Sequence, residues 1–301
     1  MNNLKYLKSV LLLFSLLFVS CGSNQKDREN IISVTIEPQR YFAEKIGGDH
    51  FTIHTVVPSG QSPETFDPST QQMVAIGKSM AYFRIGYIGF EEAWMGTIRS
   101  NNPNMQIFDL SKGIELITDE HGGCSGHHHD DDDGHLHHHH HHGVDPHIWS
   151  SVAGAKVIAW NTLNAFIELD PDNTQHYWQK YNALMNEIEE TEKEIREVLS
   201  NISHRTFIIY HPALTYFAQE NGLNQLCIEM DGKEPSSAQL KELIDIARKE
   251  NAKTVFIQQE FDQKNAELIA KETGCRLVPI NPLDYHWNKE MLQIAKALAD
   301  E

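Results

Sequence analysis

Two stretches in which short apolar strand patterns alternate with amphipathic helix patterns predict an α/β protein of two lobes, each a parallel sheet flanked by helices. Between them lies one uninterrupted helical pattern, long enough to join the lobes as a rigid element. In the first half, strand-like runs fall at residues 31–36, 51–57, 82–85 and 105–110, and helical patterns at 38–46, 68–78 and 90–100. The second half repeats the design with strands at 206–210, 225–230, 254–258 and 276–280 and helices at 213–221, 236–250 and 265–273.

The joining helix has its own signals. Asp170-Pro171 offers an N-cap followed by proline at the first helical position. Tyr177, Tyr181, Leu184, Ile188, Ile195 and Leu199 keep a spacing of three to four along a face otherwise rich in Glu, Lys and Arg. No glycine or proline interrupts residues 172–200, so a helix of about 29 residues and roughly 43 Å is expected. That length exceeds what one small sheet needs and suits a strut; a flexible linker would be rich in Gly and Ser. The expected organisation is a signal peptide at 1–20, a lipid tether at 21–30, an N-terminal lobe at 31–169 with a histidine-rich loop at 121–142, a linking helix at 170–200 and a C-terminal lobe at 201–301.

The N-terminus and the charge bound the setting. Lys5 and Lys8 precede an apolar run at 10–19 that ends in Ser20-Cys21-Gly22-Ser23. Roughly 10 apolar residues make a secretory signal, whereas a spanning helix needs about 20. Cys21 directly after a small residue resembles a bacterial lipobox, with Phe18 where that pattern usually has Leu, and implies acylation of the Cys21 thiol. An extracytoplasmic, membrane-anchored location, periplasmic or cell-surface, is therefore expected. The net charge of −17, from 25 basic and 42 acidic residues, repels nucleic acid and suits cations. Cys124, Cys227 and Cys275 show no CxxC spacing and imply no disulfide framework, leaving a single Cys227–Cys275 bridge open.

Metal-ligand chemistry is concentrated in one insert and at several strand ends. From His121 to His142 there are 11 histidines, with Cys124 and the acidic run Asp130 to Asp133. Imidazole, thiol and carboxylate together are a transition-metal ligand set, and His127, His128, His129, His137, His138 and His139 are expected to be weak, unorganised ligands. In open α/β sheets, ligands bind beyond the carboxyl ends of the strands. Ser62-Pro63-Glu64 follows the second strand, Asp145-Pro146-His147-Ile148-Trp149 follows the fourth, Tyr210-His211-Pro212 ends the fifth and Ile280-Asn281-Pro282-Leu283-Asp284 ends the last. Glu64, His147 and His211 are thereby expected to converge between the lobes, while Trp149, Tyr210 and Tyr216 are expected in packing roles.

These segments, together with Gly232-Lys233-Glu234-Pro235-Ser236, resemble the zinc/manganese solute-binding lipoproteins of ABC transporters (cluster A-I, zinc-uptake type), and the likeness covers nearly everything after the tether. The resemblance implies two α/β lobes bridged by a rigid helix, a metal ion captured between them and its delivery to an ABC permease and its ATPase. His147 and His211 fall on the family's histidine ligand positions. Three positions depart from it: Glu64 stands where the family has histidine after Ser-Pro, Asn281 where many members have an acid before Pro-Leu, and Gln258, followed by Gln259 and Glu260, where an acid follows the third strand of the second half. The predicted ligands are Glu64, His147 and His211, with Asn281 and Asp284 as candidates for a fourth.

Two imidazoles and one carboxylate suit four-coordinate zinc better than manganese, which prefers oxygen-rich shells. Zn2+ is the expected ion, with Mn2+ or Fe2+ as the alternative. A monomeric, non-enzymatic binding protein is the reading that results. One glutamate and two histidines also occur in zinc hydrolases, but the chain has no H-E-x-x-H helix and no Gly-x-Ser-x-Gly elbow. A surface metal buffer or adhesin on the same fold is the remaining alternative.

Overall fold

A computed structural model describes residues 30–118, 143–229 and 233–300; the signal peptide, the tether with Cys21, Cys124 and the histidine-rich loop with its six named ligands lie outside the described residues. The first sheet consists of β1 (Ile31–Val34), β2 (Thr52–Thr55), β3 (Ala81–Arg84) and β4 (Gln106–Asp109), all parallel, in the order β2-β1-β3-β4. The second consists of β5 (Thr206–Ile209), β6 (Asn224–Cys227), β7 (Thr254–Gln258) and β8 (Arg276–Ile280), parallel in the order β6-β5-β7-β8. Each strand order reverses beside its first strand, which opens a crevice at the carboxyl edge of each sheet. Both expected sheets are present, and β7 and β8 span the predicted residues.

The connecting helices are α1 (Glu37–Gly47), α2 (Thr70–Ile76), α3 (Gly89–Asn101), α6 (Thr215–Asn221), α7 (Ser237–Lys249) and α8 (Lys264–Thr273). Ser69 and Ser236 start α2 and α7 as side-chain N-caps, each reciprocated by a glutamine three residues on. Two further helices, α4 (Val152–Leu169) and α9 (Trp287–Ala299), had no counterpart in the sequence reading.

The joining element is α5 (Thr174–Leu199), 26 residues or roughly 39 Å long, which packs on α1, α4 and α9. Its buried stripe is Tyr177, Leu184, Ile188, Thr191, Ile195 and Leu199, so five of the six predicted apolar positions are buried and Tyr181 is half-buried. The expected Asp170 cap is replaced by another arrangement. A 3-10 turn, Pro171–Asn173, precedes the helix, and Asp170 accepts hydrogen bonds from the Tyr177 hydroxyl at 2.5 Å and Asn173 Nδ2 at 2.7 Å instead of capping it. Lys45 and Lys156 bind Glu187 and Glu192 of α5 at 2.7 and 2.6 Å; such exposed pairs contribute about 1 kcal/mol or less each.

One apolar core runs through both sheets, including Phe83 and Phe166 on one side and Phe207, Phe256 and Trp287 on the other. The opposite face of the second sheet, with Ile208, Leu226, Val255 and Ile257, packs on Leu243 of α7 and Ile269 of α8, as strand alternation requires. Polar clamps close the seam between the lobes. Trp149 Nε1 donates to Pro282 O at 2.9 Å, Trp287 Nε1 donates to Trp149 O at 2.6 Å, and Glu220 of α6 accepts the first N–H groups of α4 from Val152 and Ala153 at 2.8 and 2.9 Å. Trp149, fully buried, thus clamps the seam by both its ring and its backbone. The open question of the cysteines is answered by Cys275, a free, buried thiol 3.1 Å from Ala252 O, so the Cys227–Cys275 bridge does not form.

Candidate metal centre

The chain returns from the histidine-rich loop through an antiparallel bridge between Thr118 and Val144, which sets Asp145 and His147 at the seam. Asp145 Oδ1 accepts the backbone N–H of His147 at 2.8 Å and also lies 2.8 Å from His147 Nδ1. That contact puts the proton on Nδ1 and leaves the Nε2 lone pair for a cation. Asp145 is fixed in turn by Tyr216, whose hydroxyl donates to Asp145 O at 2.9 Å and accepts from Ile117 N at 3.1 Å. Burial opposes charging of His147, but the Asp145 carboxylate outweighs it, with Glu64 and Glu229 adding to the effect, and the His147 pKa is raised. Burial likewise raises Asp145, yet the His147 contacts prevail and hold its carboxyl below the usual range.

His211 is held in the same manner from the second lobe. Its Nδ1 lies 3.1 Å from Glu229 Oε2, and Gln258 grips its backbone, accepting from His211 N at 3.3 Å and donating to His211 O at 2.8 Å. Phe261 stacks on the imidazole with ring centres 5.1 Å apart and planes at 20°. The outcome is that His147 Nε2 and His211 Nε2 face each other at 3.2 Å. With both Nδ1 positions committed to carboxylates, two lone pairs at that distance repel until a proton or cation lies between them.

Glu64 comes from the long loop after β2 and is seated at the N-terminus of α3. Gly89 N donates to Glu64 Oε2 and Phe90 N to Pro63 O, both at 3.0 Å, where the helix dipole also favours an anion. The approach is close enough that a Cβ on Gly89 would stand 2.4 Å from Glu64 O. Glu64 Oε1 is buried without a hydrogen-bond partner. It lines a cleft of ≈ 340 Å³ empty volume together with His147, His211, Trp149, Glu260 and Phe261. Among the described residues, no three His, Cys, Asp or Glu side chains are yet drawn together tightly enough to hold an ion, so the paired imidazoles are the organised part of the site.

Asn281 and Asp284 form a turn of their own. Asn281 Oδ1 accepts from Leu283 N at 3.2 Å, Asn281 N donates to Glu290 at 2.7 Å, and Asp284 Oδ1 accepts from His286 N at 2.7 Å. Pro282 and Leu283 line the cleft while Asn281 and Asp284 do not. Sequence reasoning gave Glu229 and Glu260 no role here. Glu229 lies just past β6, at the carboxyl edge where ligand-supporting groups gather, and that position was the available signal.

Two α/β lobes around a cleft, with imidazoles presented from both sides, define a two-lobed metal-binding protein of the solute-capture type. The family described as zinc-uptake complex component A, periplasmic (ZnuA), matches residues 32–300, and the chain belongs to it. It is similar to the high-affinity zinc uptake system protein ZnuA of Bacillus subtilis, 27% identical over 284 residues that cover 89% of this chain and 85% of that protein. A crystal structure of ZnuA superposes with a TM-score of 0.80 at 34% identity, covering 89% of this chain and 97% of that one. A deletion mutant of ZnuA with zinc bound gives a TM-score of 0.79 at 34% identity over 89% and 96% of the two chains. The chain is accordingly a metal-binding transport component, the solute-binding protein of a zinc-uptake ABC transporter.

Proposed function

We propose that Glu64, His147 and His211 capture one Zn2+ ion in the cleft between the lobes and release it to the ABC permease, with the ATPase driving uptake. The observation that carries this reading is the 3.2 Å approach of the two Nε2 atoms, each with its Nδ1 on a carboxylate. The buried, unpaired Glu64 Oε1 supplies an anionic oxygen to the same cleft. Two imidazoles and carboxylate oxygen fit zinc, with manganese or iron as the alternative ions. The protein acts as a monomer anchored through acylated Cys21, and the many imidazoles of the histidine-rich loop collect metal at several weaker sites.

Zinc titration of the full chain against a chelator strong enough to strip the loop tests the site. One tight equivalent is expected, and His147→Ala or His211→Ala should weaken it at least tenfold, about 1.4 kcal/mol or more. Tight binding that survives both substitutions would remove the assignment.

A further inference from the structure

We propose that Glu260, in the loop after β7, is the fourth ligand of the cleft and sets its balance between zinc and manganese; this rests on the reading of the cleft as the metal site. Among the described residues, two carboxylate oxygens are buried without any hydrogen-bond partner, Glu64 Oε1 and Glu260 Oε1. Both belong to residues that line this one cleft. A buried, unpaired carboxylate oxygen is costly in an apo protein and is satisfied by a cation. Asn281, which stands where the family's acid would, has its carbonyl on Leu283 N and its amide nitrogen 3.5 Å from Asp284, and it does not line the cleft.

The loop that carries Glu260 is already built around the site. Gln258, at the end of β7, grips the backbone of His211, and Phe261 stacks on its ring. Glu260 lies between these two supports, so one short segment both fixes an imidazole and offers an oxygen. Two glutamates and two neutral imidazoles sum to −2, which balances a divalent ion. The acid missing at position 281 is thus restored from a neighbouring strand end. Since manganese depends on oxygen donors more than zinc does, loss of this carboxylate falls harder on manganese.

The test uses the full chain, competing Zn2+ and Mn2+ separately against a chromophoric chelator, with Co2+ absorption as a report on the ligand shell. Glu260→Gln should weaken zinc about tenfold and manganese about a hundredfold and should alter the Co2+ spectrum. Glu260→Asp should recover part of each affinity, and Asn281→Ala should stay within twofold of the parent. If Glu260→Gln binds both ions as the parent does while His211→Ala does not, Glu260 is no ligand although the cleft reading stands. If Glu260→Gln weakens both ions equally with an unchanged Co2+ spectrum, its role is structural and the proposal fails. If His147→Ala and His211→Ala also bind normally, the cleft reading itself fails.

Discussion

The imidazole half and the carboxylate half of the cleft are held in opposite ways. His147 and His211 are gripped at ring and backbone, by Asp145 on one side and by Glu229, Gln258 and Phe261 on the other. Glu64 and Glu260 each keep one buried oxygen without a partner. On the proposed reading of the cleft, the difference teaches where preorganisation is spent: the nitrogen pair is fixed before the ion arrives, and each carboxylate keeps an oxygen to close on it.

Glu91 sharpens the comparison, being a carboxyl on the same helix as the seat of Glu64 but satisfied throughout. It is 2% exposed and accepts from the Thr35 hydroxyl, from Ile85 N at 3.0 Å and from Gly86 N at 2.5 Å. Burial pushes its pKa from an ordinary 4.5 to about 7, against the Thr35, Ile85, Gly86 and Arg84 contacts that pull it down. The folded protein thus holds this proton more tightly than the unfolded chain does. Its stabilising contribution is fully present below pH 4.5 and is lost as pH climbs through about 7, a span of about 3 kcal/mol. Denaturant unfolding of the parent and Glu91→Gln from pH 4.5 to 7.5 should show the parent losing about that much relative to the variant. A difference that stays constant with pH would mean that Glu91 is ionised throughout.

Next in size is the support of His147. Asp145→Asn keeps an acceptor for Nδ1–H but removes the charge that fixes the tautomer and strengthens the Nε2 donor. Outer-sphere changes of this kind typically cost 10–100-fold in metal affinity, and about tenfold is expected here. Chelator competition measures it, with apo-protein melting as a control on folding. An unchanged affinity would show that the imidazole half does not depend on its carboxylate support.

Much of this was legible in the chain. The strands were found within a few residues, because β-branched runs bounded by polar turns are a local property, and Glu64, His147 and His211 stood out at strand ends. Helix α4 was not, since Val152, Ala155, Ile158, Ala159, Leu163 and Phe166 bury much of its circumference and blur the stripe. In α9 the signal was present, for Trp287, Met291, Ile294, Ala295 and Leu298 keep helical spacing. Glu260 was met in the sequence two residues past Gln258, where the resemblance expects an acid, but it was given no role because its distinguishing property, a buried unpaired oxygen, exists only in three dimensions. The cysteine pairing stayed open in the sequence for a similar reason, since proximity across the fold is not a spacing.

The smallest effect expected belongs to Gly89, and it separates the carboxylate half from the helix that carries it. A Cβ there would lie 2.4 Å from Glu64 O and 3.1 Å from Glu64 Cα, contacts with backbone that cannot swing aside. Alanine is the better helix former by up to about 1 kcal/mol, so Gly89→Ala favours α3 while pressing the Glu64 loop outward. Gly96, in the same helix, meets nothing within 4 Å and isolates the propensity term. Zinc affinity should fall about threefold in Gly89→Ala and stay unchanged in Gly96→Ala, which should instead unfold at slightly higher denaturant. If Gly89→Ala binds zinc as tightly as Gly96→Ala, the seat of Glu64 at the start of α3 contributes nothing to capture, and the carboxylate half of the cleft is looser than the structure places it.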